Sequence, residues 1–372
     1  MQQIRILHVI GMMNCGGAEM LIMNLYRSID RNKIQFDFLV HSEEEGYFDK
    51  EIYNLGGRIH HISRFKGTNI ISYYREAYEF FKKNKEYKIV HGHIGSCASL
   101  YLSAAKKCGC FTIAHSHSTG NGKKNLHDFF FNIFSYPTRY IADYFFGCST
   151  EAGLMRYGRR IVNSNKYHNF SNAIDSERFM FSPIKRKYLR EQLRIEDKMV
   201  IGTVGRITDA KNPLFIIEIM SEYIKHNPNA VFLWVGNGDM YDVVSQKIDE
   251  MKLGESMIIV GQKQNVEDYL MAMDLFLFPS KYEGLPTSVI EAQATGLPCL
   301  LSDTITREVE ITNLIKWMSI EQSSVKWANA IDDVRIESRM SQINQVIKSG
   351  YDIHENSKVL TSFYEKVLTK GC

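Results

Sequence analysis

The chain has no run approaching the roughly 20 consecutive apolar residues that would cross a bilayer. Met1-Gln2-Gln3-Ile4-Arg5 leads straight into a strand-like pattern, with no signal-peptide apolar region. A membrane-spanning or exported protein is therefore not expected, and the expected location is cytoplasmic. The 7 cysteines (Cys15, Cys97, Cys108, Cys110, Cys148, Cys299, Cys372) are odd in number, form no Cys-x-x-Cys pair and show no histidine spacing suited to zinc. Reduced, mostly buried thiols are the expectation. Internal repeats, low-complexity tracts and nucleic-acid recognition motifs are also missing, so no nucleic-acid partner is expected. Glycines occur after strands but never as Gly-x-Gly-x-x-Gly, which argues against a nicotinamide cofactor.

The composition is that of an ordinary globular protein, with 44% hydrophobic and 23% charged residues. Its 372 residues exceed one ordinary core, and two domains of roughly 150 to 200 residues each are expected. The net charge of +3 conceals an asymmetry: residues 1–172 hold 22 Lys+Arg against 14 Asp+Glu, leaving the remainder acidic. A basic first half suits an anionic surface or substrate, although scattered solvated lysines give part of the same count.

Short runs rich in Ile, Val and Phe alternate with amphipathic helical stretches, the pattern of βαβ units in a parallel sheet. Strands are expected at 4–11, 35–41, 58–62, 89–93, 111–117 and 145–149, and again at 200–205, 231–236, 257–260, 275–279, 299–302 and 315–318. The restart near Met199 follows the polar, proline-bearing stretch that begins at Phe181. The expected division is therefore 1–180 and 181–353, each doubly wound, with strand C-terminal ends turned toward a shared cleft. A terminal helix is expected within 354–372, carrying Val359, Leu360, Phe363, Tyr364 and Val367 at helical spacing.

Candidate site residues fall after strands. Gly16 and Gly17 precede a helix expected from about Glu19 to Arg27, where glycine would let the backbone approach an anion; a plain tight turn is the alternative. In Ala114-His115-Ser116-His117-Ser118, a histidine can bond a substrate hydroxyl or move a proton. His115 and His117 are read as pointing to opposite sides of the strand, one toward the cleft, and with no evident third ligand no metal site is assigned. Arg206 and Lys211 flank a loop before Pro213, the expected first residue of a helix. Two cations beside a helix N-terminus favour a diphosphate, the alternative being two surface charges. Val235-Gly-Asn-Gly238 is a further glycine turn.

Residues 279–296, PSKYEGLPTSVIEAQATG, carry Glu283 and Glu291 on either side of a turn. A helix is expected over 287–295, stopped by Gly296. Its leading amides, with Gly284, Leu285, Pro286 and Thr287, form an anion site, so Glu283 beside it is read as binding neutral sugar hydroxyls. Glu291, one turn into the helix, can accept both hydroxyls of a ribose. Its neighbours look buried, which requires partners for a carboxylate.

Taken in order, these motifs resemble the family 4 glycosyltransferases of the two-domain GT-B fold, especially those that build bacterial capsular and exopolysaccharides. Glu283 and Glu291 match the family's Glu-x7-Glu signature. Also similar are Gly16-Gly17-Ala-Glu19, the strand-end histidine, Ser171-Asn172-Ala-Ile-Asp175-Ser-Glu-Arg-Phe179 (with Ala173 in place of a glycine), Gly205-Arg206 with Lys211, and Gly236-Asn-Gly238. The resemblance implies α/β architecture, two Rossmann-like domains facing a cleft, and a final helix that crosses back to the first domain. The first domain would take the acceptor and the second the nucleotide sugar.

It further implies a retaining hexosyl or N-acetylhexosaminyl transfer from a nucleotide sugar, UDP being the commonest carrier, to a glycan or polyprenyl-diphosphate-linked saccharide. Arg206 and Lys211 would stabilise the departing diphosphate, Glu283 would hold the transferred sugar, Glu291 the ribose, and Gly17 would approach the donor. His115 would contact the donor sugar near its anomeric centre. No Asp-x-Asp occurs, in keeping with catalysis that relies on Arg and Lys without a divalent metal or other cofactor. The basic, aromatic segment 123–139, followed by Arg156, Arg159 and Arg160, either docks on anionic lipid at the inner face of the membrane or is core flanked by solvated cations. A sugar-nucleotide epimerase of the same architecture and a non-catalytic nucleotide-sugar binding protein are the competing readings.

Overall fold

A computed structural model describes residues 3–14, 16–117, 134–334 and 339–370. The chain forms two compact units, one made of residues 1–173 with 353–372 and the other of residues 174–352. The division lies several residues before the boundary expected at 180/181. Ile174 bridges Asp352, the Ser176 hydroxyl donates to the Asp352 carboxylate at 2.5 Å, and Ile174 and Phe179 enter the second unit's core.

The first unit's described residues form a parallel sheet of β1 (Ile4–Ile10), β2 (Ile34–Val40), β3 (Ile59–His61), β4 (Ile89–Gly92), β5 (Phe111–Ser116), β6 (Tyr144–Gly147) and β7 (Tyr167–Asn169), in the order β3-β2-β1-β4-β5-β6-β7. Central strands covered on both faces need apolar residues at nearly every position, and β2 is buried throughout. Its one buried acid, Asp37, is held by Arg5 at 2.6 Å and by the Tyr87 hydroxyl at 2.8 Å. The edge strand β7 was not expected. It is only three residues long and half exposed, so it lacks the apolar run that marks the others.

In the second unit the described strands are β8 (Met199–Val204), β9 (Ala230–Val235), β10 (Met257–Ile259), β11 (Leu275–Phe278), β12 (Cys299–Ser302) and β13 (Ile315–Met318), in the order β10-β9-β8-β11-β12-β13. All pairings are parallel, and apolar clusters pack on both faces.

The final helix, Ile353–Lys370, belongs to the first unit. Ile353, Leu360, Tyr364 and Val367 pack into the core that holds the helix Gly17–Ser28. Val359, expected on this stripe, is exposed because one step along a helix turns it about 100° from Leu360. Cys97, Cys108, Cys110, Cys148 and Cys299 are free thiols. Among the described residues no helix is long and apolar enough to cross a membrane.

Candidate active site

In the second unit the strand–turn–helix at 275–294 forms as the sequence suggests. β11 is fully buried, and the helix Thr287–Ala294 follows with Pro286 at its N-cap. Proline offers no side-chain acceptor, so no side chain competes there for the first-turn amides. A Cβ on Gly284 would meet nothing within 4 Å, and the backbone there is open to a ligand. Leu285 packs on the core, which fixes the turn.

Lys211 and Glu283, expected to serve different parts of a ligand, are ion-paired at 2.7 Å with only 16% and 17% of their side chains exposed. The Lys211 ammonium also lies 4.1 Å from the centroid of the Phe278 ring. Burial lowers the lysine pKa, Glu283 opposes this, and Arg206 lowers it further. The local backbone makes room for the pair. Gly205, at φ +152°, carries no Cβ where one would sit 2.9 Å from Lys211 Cε, and Asn212 at φ 57° turns the chain into the helix Pro213–His226. Lys281 straps the two loops together, its amide donating to the Ala210 carbonyl at 2.8 Å and its ammonium meeting Asp209 at 2.5 Å. Arg206 is exposed at the end of β8.

Gly236 and Gly238, read as a further glycine turn after a strand, are close-packing glycines. A Cβ on either would strike backbone, that of Gly205 from Gly236 and that of Ile207 from Gly238.

Glu291 lies within electrostatic reach of two charged neighbours, Arg178 and Glu267. Burial pushes its pKa up to about 7, Arg178 pulls it down and Glu267 pushes it further up. Arg178 itself is ion-paired with Glu267 at 2.8 Å. Sequence reasoning gave Arg178 and Glu267 no role, although Arg178 stands inside the quoted 171–179 motif.

The first unit contains its own pocket of about 300 Å³ beyond the ends of β1, β4 and β5, lined among others by Ala18, Glu19, His93, His115, His117 and Arg156. Gly16 is the N-cap of the helix Gly17–Ser28. The Glu19 carboxylate folds back against Gly16 and accepts a hydrogen bond from its own amide, and burial raises its pKa. The anion position expected at this glycine pair is thus filled by the chain's own acid.

His115 and His117 do not point to opposite sides. Residues two apart on a strand share a face, and the two rings stack with centroids 4.1 Å apart. His8 of β1 is level with His91 of β4, and His93 follows two residues on, so three neighbouring strands place five histidines on one face. His91 Nδ1 meets the Tyr364 hydroxyl at 2.7 Å and His91 Nε2 meets His115 Nδ1 at 3.2 Å. His8 Nδ1 meets His93 Nε2 at 2.9 Å and His93 Nδ1 meets His117 Nε2 at 2.7 Å. Burial depresses all five pKa values, His8 to about 3 and His117 to about 4, so the rings are neutral at physiological pH. His93, which the sequence did not single out, stands beside His117 in this group. Most of the basic, aromatic segment 123–139 lies outside the described residues.

Comparison with known proteins covers nearly the whole chain. Residues 15–178 match the family description "Glycosyltransferase Family 4" and residues 185–349 match "Glycosyl transferases group 1". The chain is 29% identical over 377 residues to the putative glycosyltransferase EpsF of Bacillus subtilis, covering 97% of this chain and 96% of that protein. It is 27% identical over 312 residues to an Escherichia coli UDP-Gal:alpha-D-GlcNAc-diphosphoundecaprenol alpha-1,3-galactosyltransferase, covering 79% of each. To the capsular polysaccharide biosynthesis glycosyltransferase CapH of Staphylococcus aureus it is 24% identical, covering 97% of this chain and 98% of that one. The solved structure of Anabaena HepE in complex with UDP superposes with a TM-score of 0.72 at 15% identity, over 97% of this chain and 95% of that chain, which establishes the shared fold.

Proposed function

Because the chain belongs to the family 4 glycosyltransferases, with the GT-B pair of Rossmann-like domains and relatives in bacterial polysaccharide biosynthesis, we propose that it transfers a hexose or N-acetylhexosamine from a UDP-sugar to a lipid-linked saccharide with retention of configuration. The observation that carries this reading is the Lys211–Glu283 pair beside the uncapped helix Thr287–Ala294, with Glu291 one turn further on. It is a nucleotide-sugar cradle: a cation and helix amides for diphosphate, one carboxylate for sugar hydroxyls and another for ribose. The names of two relatives support UDP and a lipid-linked acceptor, one a UDP-galactose transferase acting on a diphosphoundecaprenol and the other a structure holding UDP.

In the proposed step the acceptor hydroxyl attacks the anomeric carbon on the face that the diphosphate leaves. The departing β-phosphate oxygen takes the acceptor proton, so no enzyme base is needed. Arg206, Lys211 and the amides from Gly284 onward stabilise the charge that develops on that oxygen. His115, a neutral imidazole, offers the sugar a hydrogen bond without adding charge. We assign the acceptor to the first unit and the donor to the second, and no divalent metal to the transfer step. The exposed Tyr140 beside Arg139, with Arg159 and Arg160 nearby, supports docking on anionic lipid at the inner membrane face. Flotation with anionic vesicles checks this, and no binding removes it.

The test of the main reading is UDP release from a panel of UDP-sugars, with and without a diphosphopolyprenyl-linked acceptor, in chelator. Lys211→Ala and Glu283→Ala are each expected to lower transfer by about 100-fold or more. Unimpaired transfer in both variants would sink the donor-site assignment, and a chelator-abolished reaction would sink metal independence.

A further inference from the structure

The five-histidine face does more than a single active-site histidine requires. We infer that His93, His115 and His117 form a binding site for zinc in the first unit's pocket. One nitrogen from each of these residues lies within 4.8 Å of the others. The closest pair, His93 Nδ1 and His117 Nε2, stands 2.7 Å apart, whereas ligand nitrogens on a tetrahedral zinc at about 2.05 Å sit about 3.3 Å from one another. A ring adjustment of a few tenths of an ångström would therefore admit the ion.

Three further observations point to a ligand. His115 Nε2 is buried with no hydrogen-bond partner. Buried polar atoms of this kind are normally satisfied. An outer layer is in place as well, since His8 holds His93, His91 holds His115, and Tyr364 holds His91. Partners at that position commonly orient metal-bound histidines. The pocket supplies an entry path and a fourth position for water. An all-imidazole set favours zinc over magnesium or calcium, which take oxygen ligands.

Resting on the proposed role of His115 at the transferred sugar, zinc in this position is an inhibitor of transfer. Binding itself is measured without substrate, so the two ideas fail separately. The full chain, stripped with chelator and dialysed, is titrated calorimetrically with zinc, and cobalt(II) is used as a spectroscopic substitute. A single submicromolar zinc site and the intense visible bands of four-coordinate cobalt are expected. His117→Asn, beyond the end of β5, is expected to weaken zinc binding by about 100-fold, while His61→Ala, an exposed histidine outside the cluster, leaves it unchanged. Weak binding by the unsubstituted protein, or equal affinity in His117→Asn, would overturn the site as scattered histidine binding. Should the asparagine variant not fold, the cobalt spectrum decides, and weak octahedral bands refute. Zinc that binds tightly while transfer continues undiminished would leave the site and remove its inhibitory role.

Discussion

Replacing Glu291 with glutamine separates the stability of the second unit from its ligand affinity. In the native protein the carboxyl has its pKa raised by burial from 4.5 to about 7, with Arg178 opposing and Glu267 reinforcing the shift. The native state thus keeps a proton between pH 4.5 and about 7 that the unfolded chain has released. The stability this group contributes is full below the unfolded value and is lost as pH rises through the folded one. At about 1.36 kcal/mol per pH unit the whole effect is about 3 kcal/mol, most of it falling between pH 5 and pH 8. Glutamine keeps the shape and removes the charge. Glu291→Gln is therefore expected to match the unsubstituted protein at pH 5 and to exceed it by about 2 to 3 kcal/mol at pH 8.

The assay is urea unfolding followed by intrinsic fluorescence. All three tryptophans, Trp234, Trp317 and Trp327, lie in the second unit, so the signal reports that unit alone. The same substitution is expected to weaken UDP-sugar binding by about tenfold or more, because a ribose would lose a charged acceptor. Equal stability differences at pH 5 and pH 8 would refute the electrostatic reasoning, whatever happened to binding.

Two further substitutions test the packing around the sites. Gly236→Ala, with φ at +147° and its new Cβ aimed at the Gly205 carbonyl, is expected to destabilise the second unit by at least about 2 kcal/mol, whereas Gly254→Ala, with open space at its Cβ, should be near neutral. Thermal unfolding of the two side by side checks this, and equal midpoints would refute it. Tyr364→Phe removes the 2.7 Å contact to His91 Nδ1 and should cost about 1 to 3 kcal/mol by leaving a buried nitrogen unsatisfied. An unchanged unfolding midpoint would mean that the hydroxyl does not hold the histidine.

The parallel sheets were legible because central strands, buried on both faces, are written in nearly continuous apolar residues, as in β9. The edge strand β7 escaped because half-exposed positions such as His168 and Asn169 carry no such constraint. Residue spacing likewise exposed the local unit from Glu283 to Glu291, whose parts lie on one turn and one helix. The partners that define its electrostatics were hidden by distance along the chain. Lys211 meets Glu283 from a different loop, and Arg178, on a 3-10 turn far upstream, pairs with Glu267 and acts on Glu291 through its charge. Histidines on β1, β4 and β5 look isolated in a linear reading. Only the order β1-β4-β5 and the shared side of residues two apart bring them into one stack.

Both units guard their anion-ready positions with a carboxylate of their own. Glu19 folds against Gly16 at the start of the helix Gly17–Ser28, and Glu283 neutralises Lys211 beside the helix Thr287–Ala294. An unpaired lysine at that depth would be expensive, and its lowered pKa records that cost even with Glu283 in place. A diphosphate can replace Glu283 as the counter-charge of Lys211 without exposing the lysine, since it delivers negative charge to the same place. The released Glu283 then needs donors of its own, and sugar hydroxyls are the neutral groups that supply them. On this reasoning a UDP-sugar satisfies both ends of the broken pair, while inorganic diphosphate satisfies only Lys211 and leaves a half-buried carboxylate unpaired. Discrimination between the two ligands should therefore collapse in Glu283→Ala. Persistence of the full preference for UDP-sugar over diphosphate in that variant would place the sugar contact somewhere other than Glu283.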